Sequence, residues 1–125
     1  MKTSLNYLHH KSTEWMREVT FYKEELNVLK TRLEDVVARN TDIEVLAQVD
    51  HFENKFKVLS NNLDILKHDI NLAHEDVLKS IASKPNHTHE KSEDPNDGLA
   101  AQVSDLTSDV NNTRHELTKF LSKTL

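Results

Sequence analysis

The chain has no cysteine, one glycine and two prolines in 125 residues. Without cysteine there is no disulfide framework, no thiol nucleophile and no thiolate ligand for a metal. A single glycine leaves nothing to build a Gly-rich phosphate loop, and so few turn formers argue against an all-β fold. Positive charge is also short. Sixteen Lys and Arg against 21 Asp and Glu give a net charge of -5, with no basic surplus to neutralise phosphates, so no nucleic-acid partner is expected. Apolar runs stop at two or three residues, too short to span a membrane, and Met1 to His10 lack the apolar core of a secretory signal. These absences point to one domain over 1–125 and a cytoplasmic setting.

What the chain does have is helical periodicity. Leu5, Leu8, Trp15, Val19, Tyr22, Leu26, Leu29, Leu33 and Val36 recur in steps of three and four, with Ser12 at the one non-apolar step. That is an a/d heptad stripe. It breaks at Arg39-Asn40-Thr41. Thr41-Asp-Ile-Glu44 reads as a capping box in which the Thr41 side chain accepts the Glu44 amide. A second stripe follows: Val45, Val49, Phe52, Phe56, Leu59, Leu63, Leu66, Ile70, Ala73 and Val77. So short a break predicts an antiparallel hairpin, 5–39 against 42–82.

Folding the hairpin tests the reading, because residues that face each other must have numbers with a constant sum. Val36/Val45, Leu33/Val49, Leu29/Phe52, Leu26/Phe56, Tyr22/Leu59, Val19/Leu63 and Trp15/Leu66 all sum to 81 or 82. Ser12 then falls opposite Ile70. In this register Glu25 faces Lys55, Lys11 faces Asp69 and Lys30 faces Glu53, opposite in sign each time, which selects the register more than it stabilises. Residues 83–94 are polar, aperiodic and contain a proline, and read as a flexible linker. Asp94-Pro95 resembles an N-cap and first-turn proline. Leu99, Val103, Leu106, Val110, Thr113, Leu117 and Phe120 complete a third helix over 95–124. The expected fold is all-α, an elongated antiparallel three-helix bundle with coiled-coil-like heptad packing.

Catalytic signatures are missing from this frame. No histidine carries the Glu-x-x-His spacing of di-iron bundles, and there is no HExxH or GxSxG, so no enzyme is expected. His10/Glu14 and Asp64/His68 read as solvated helix pairs. Folding the hairpin does, however, bring His9 and His74 to facing flank positions beside the Leu8/Ala73 layer. The segment carrying His87 and His89 passes the same pole, with His10 and Glu75 as neighbours. Neutral imidazoles at His9, His74, His87 and His89 form a candidate site for zinc or nickel, against the plainer reading of exposed histidines that bind nothing.

A second feature is apolar. Val58, Ile65 and Leu72 recur every seven residues outside the seam of the second helix, and Phe21 and Val28 occupy the equivalent positions of the first. Either the third helix packs over these rows, or at least one stays outside as an interaction surface. Trp15 and Tyr22 lie in the seam and are expected in the core. The functional expectation is a non-catalytic interaction or scaffold protein, forming a homodimer or binding a protein partner through these rows. A metal-binding protein is the alternative.

Overall fold

A computed structural model describes residues 3–83, 90–91 and 97–124 of the chain, with side chains described for 7–80, 82 and 98–124. Three long helices carry the fold: α1 (Leu5–Arg39), α2 (Ile43–Ser83) and α3 (Asp97–Thr124). They form a three-helix bundle, as the spacing predicts. The seam residues from Leu8 to Val77 are buried or, at Tyr22, Val45 and Ala73, half-buried. One core cluster joins Trp15, Leu29, Phe52, Leu63, Leu106 and Leu117, and so draws on all three helices.

The turn between α1 and α2 corrects the expected cap. Asp42, rather than Thr41, is the N-cap of α2: its Oδ1 accepts the Glu44 amide at 2.8 Å and the Val45 amide at 3.5 Å. The Asp42 carbonyl accepts the first helical bond, from the Leu46 amide, at 2.9 Å. A carboxylate caps orphan amides at least as well as a hydroxyl and adds a negative charge at the positive end of the helix. On the other side of the turn, the Asn40 side-chain amide donates to the Val36 carbonyl at 3.1 Å and satisfies one of the last carbonyls of α1.

Two pairs of contacts set the direction of α3, one pair to each hairpin helix. The Asn111 amide donates to the Tyr22 hydroxyl at 3.2 Å, and Arg114 pairs with Glu25 at 3.5 Å, so α3 runs parallel to α1. Lys55 pairs with Glu116 at 2.9 Å and the Phe52 and Phe120 rings lie 5.4 Å apart, so α3 runs antiparallel to α2. The third helix therefore lies in the groove of the seam itself and does not cover the outer rows. One flank of each hairpin helix faces its hairpin mate and the other flank faces α3, which lets three apolar stripes converge on a common axis.

That arrangement also corrects the expected ion pairs. Glu25 and Lys55 do not meet each other; each pairs with α3. Lys11 pairs with Glu14 on its own helix at 3.3 Å, not with Asp69. Lys30 and Glu53 line one open groove of about 520 Å³ between α1 and α2, together with Leu26, Phe56 and Asp64. Across the hairpin, the Lys23 ammonium donates to the Asp64 carboxylate. All these charges are partly or largely exposed, so they orient the helices more than they stabilise them.

Thr3–Ser4 (β1) and Glu90–Lys91 (β2) form a two-residue antiparallel ladder, Thr3 opposite Lys91 and Ser4 opposite Glu90. A stretch expected to be a linker thus contributes backbone pairing beside the N-terminus of α1. The Asp94-Pro95 start expected for the third helix lies outside the described residues, and α3 is described from Asp97.

Candidate functional site

Two regions singled out by the sequence are candidate sites, one at the histidine pole and one on the outer faces. At the pole, His9 sits in the second turn of α1 and His74 in the last third of α2, each on the flank that faces the other helix. The antiparallel register brings them together: His74 Nε2 lies 2.7 Å from His9 Nδ1, across 65 residues of chain. This is the meeting that the constant-sum register predicts. The ring centroids are 4.7 Å apart and tilted by 31°. His10 follows with its ring 5.8 Å from that of His9.

A hydrogen bond between two imidazoles needs one N–H donor and one bare nitrogen, so at most one of the facing nitrogens carries a proton. Burial pushes the His74 pKa below its ordinary value. The neighbouring His9 adds to the effect, and Glu75 opposes it. His74 therefore favours its neutral ring, the protonation state that a metal requires of an imidazole ligand. Beside it, Ser12 is fully buried, and its hydroxyl has no hydrogen-bond partner among the described residues. Among the described residues no group of three or more potential metal ligands converges. His87 and His89 lie outside the described residues, so the structure brings together two of the four expected ligands.

On the outer faces, all five expected surface residues are exposed: Phe21 at 54%, Val28 at 48%, Val58 at 59%, Ile65 at 53% and Leu72 at 53%. Tyr7, also exposed, extends the α1 row by two heptads beyond Phe21. Its seven-residue phase is present in the sequence, although Glu14 interrupts the row. Phe21 packs edge-on against Tyr22 at 5.1 Å and 84°. Val58 borders a groove of about 490 Å³ between α2 and α3, lined also by His51, Lys55, Asp109, Asn112 and Glu116. The Lys55 hydrogen bond holds the Glu116 carboxyl below its usual range.

The remaining sequence candidates fall into supporting roles. Trp15 is buried in the core, and Tyr22 is half-buried with its hydroxyl engaged by Asn111. Glu14 takes the Lys11 ammonium and Asp64 that of Lys23. The Asn111–Tyr22 bridge is a feature that periodicity misses; its signal is a polar residue next to the α3 stripe, able to reach a seam tyrosine. No helix among the described residues is long and apolar enough to cross a membrane. No family model, curated protein or solved structure matches this chain.

Proposed function

We propose that this is a non-catalytic interaction protein, a helical bundle that self-associates and offers its outer faces to a second copy or another protein. The observation that carries the reading is the place of α3. It fills the seam groove and leaves Phe21, Val28, Val58, Ile65 and Leu72 exposed on α1 and α2. Regularly spaced apolar residues rimmed by polar ones mark interaction surfaces, whereas isolated exposed ones need no explanation. Light scattering at about 100 μM, a concentration that populates even weak specific dimers, is expected to return at least twice the chain mass of 14.5 kDa. A monomer at that concentration overturns the reading.

The imidazole pair supports a second reading, in which the pole binds zinc or nickel. His9 and His74 supply two nitrogen donors from facing helices, and His87 and His89 are the residues expected to fill the remaining positions. Binding only to the folded state raises the melting temperature by mass action. Excess zinc or nickel at pH 7.5 is expected to do so in the wild type and not in His74→Ala. An unchanged melting curve, with no metal found by elemental analysis of the purified protein, retires the site.

A further inference from the structure

We infer that a second copy of this chain docks along the outer row of α2, antiparallel to it, with a two-fold axis passing beside Ile65. This geometry rests on the self-association proposed for the chain and specifies the face and the direction it uses.

The α2 row is the better of the two. Val58, Ile65 and Leu72 are each more than half exposed and follow one another without interruption. Their span of 14 residues corresponds to a stripe about 21 Å long at about 1.5 Å per residue. The α1 row has only Phe21 and Val28 in succession, ends at Glu14 and Asp35, and already spends one face of Phe21 on Tyr22. The α2 row is also symmetric about its centre. Val58 and Leu72 lie at equal distances from Ile65 along the chain, so a two-fold axis sets Ile65 against itself and Val58 against the partner's Leu72. Such a contact is isologous and closes as a dimer. The open groove between α2 and α3 beside Val58 gives the incoming leucine a place to sit.

Charge selects the direction. One end of the row is flanked by Asn54, Lys55 and Asn62, and the other by Asp69, Glu75 and Asp76. A parallel dimer would set three carboxylates against their own copies, and like charges in register oppose association. The antiparallel dimer places them beside amides and the Lys55 ammonium instead. Lys55 also holds Glu116, and an ammonium has three donors, enough to serve both carboxylates.

A chain without cysteine allows a direct test. Under mild oxidation, Ile65→Cys is expected to form a disulfide with its own copy. A mixture of Val58→Cys and Leu72→Cys is expected to form the mixed disulfide well in excess of either homodisulfide, read by mass spectrometry. Ile65→Asp, which would bury a carboxylate at the axis, is expected to raise the dimer dissociation constant roughly 100-fold while circular dichroism keeps the helical signal. The failures are distinguishable. A monomeric wild type overturns self-association as well as this geometry. A dimer that survives Ile65→Asp and does not crosslink at Ile65→Cys keeps self-association but overturns this face. Homodisulfides of Val58→Cys and Leu72→Cys that exceed the mixed species overturn the antiparallel direction.

Discussion

At the turn end of the α1–α2 hairpin, Leu29, Leu33, Val36 and Val49 are at most 3% exposed and join the main core, and Asp42 and Asn40 satisfy the helix ends. At the histidine end, Leu8 and Val77 are just as buried but form a small cluster of their own. Between that cluster and Trp15 stand a buried hydroxyl without a partner among the described residues, the small side chain of Ala73 and a pair of imidazoles. The same two helices with the same spacing thus make one end that is apolar and capped and another whose layers include a buried hydroxyl, a small side chain and titratable imidazoles. Periodicity sets where a residue points. Side-chain volume and hydrogen-bond satisfaction set how strongly that end is held, and local opening begins where both are low.

Truncating one leucine at each end gives the largest test of this contrast. Leu33→Ala is expected to cost about 3–4 kcal/mol, because its neighbours are packed on every side and the cavity stays open. Leu8→Ala, equally buried, is expected to cost about 2 kcal/mol, because a layer next to the pole can collapse or admit water. Urea denaturation of the two variants measures both. Equal losses would show that the two ends are equally well packed.

Ser12 offers a test of opposite sign. Its hydroxyl is out of water and without a partner among the described residues, a cost of about 1–3 kcal/mol when left uncompensated, and alanine has the higher helix propensity. Ser12→Ala is expected to stabilise the chain by about 1 kcal/mol, or about 4 °C in melting temperature. The lone tryptophan, Trp15, lies one turn away and reports the change by fluorescence. A destabilised variant would mean that the hydroxyl has a partner at this pole.

Much of the fold is legible in the sequence because burial in a helical bundle repeats with a period that the residues display. The Val19, Leu63 and Val110 rows are read directly, and the hairpin register follows from number sums that leave little freedom. That register also brings His9 to His74. The flanking charges are less informative, since Glu25 is complementary in sign to Lys55 and to Arg114 alike, and Lys55 to Glu25 and Glu116 alike. Sign alone does not say which helix a flank faces. Thr41 and Asp42 are adjacent and both able to cap, and the carboxylate prevails for reasons of charge that spacing does not express. The exposure of Ile65 and its row depends on where α3 settles, a tertiary matter on which its own stripe is silent.

The smallest expected effect is the dependence of the histidine pole on pH. His74 is held below its ordinary pKa of 6.5, first by burial and then by His9, against the opposing pull of Glu75. Between the lowered folded value and 6.5, the unfolded chain binds more protons at this site than the folded one. Stability from this group is therefore fully present above pH 6.5 and is lost as pH falls through that window. Carboxylates elsewhere, Glu116 among them, also lose their ion pairs on acidification, so the total slope does not isolate the pole. A comparison does. With chelator present throughout, wild type and His74→Gln are expected to run parallel in stability from about pH 8 to 7 and to converge or cross as pH falls from about 6.5 toward 5, the wild type losing more. The turn end supplies the control, since Asp42→Asn changes the cap without touching an imidazole and is expected to leave the wild-type slope in that window unchanged. A His74→Gln profile that keeps the full wild-type slope would place the titration elsewhere and remove the pole's claim to be the pH-sensitive end.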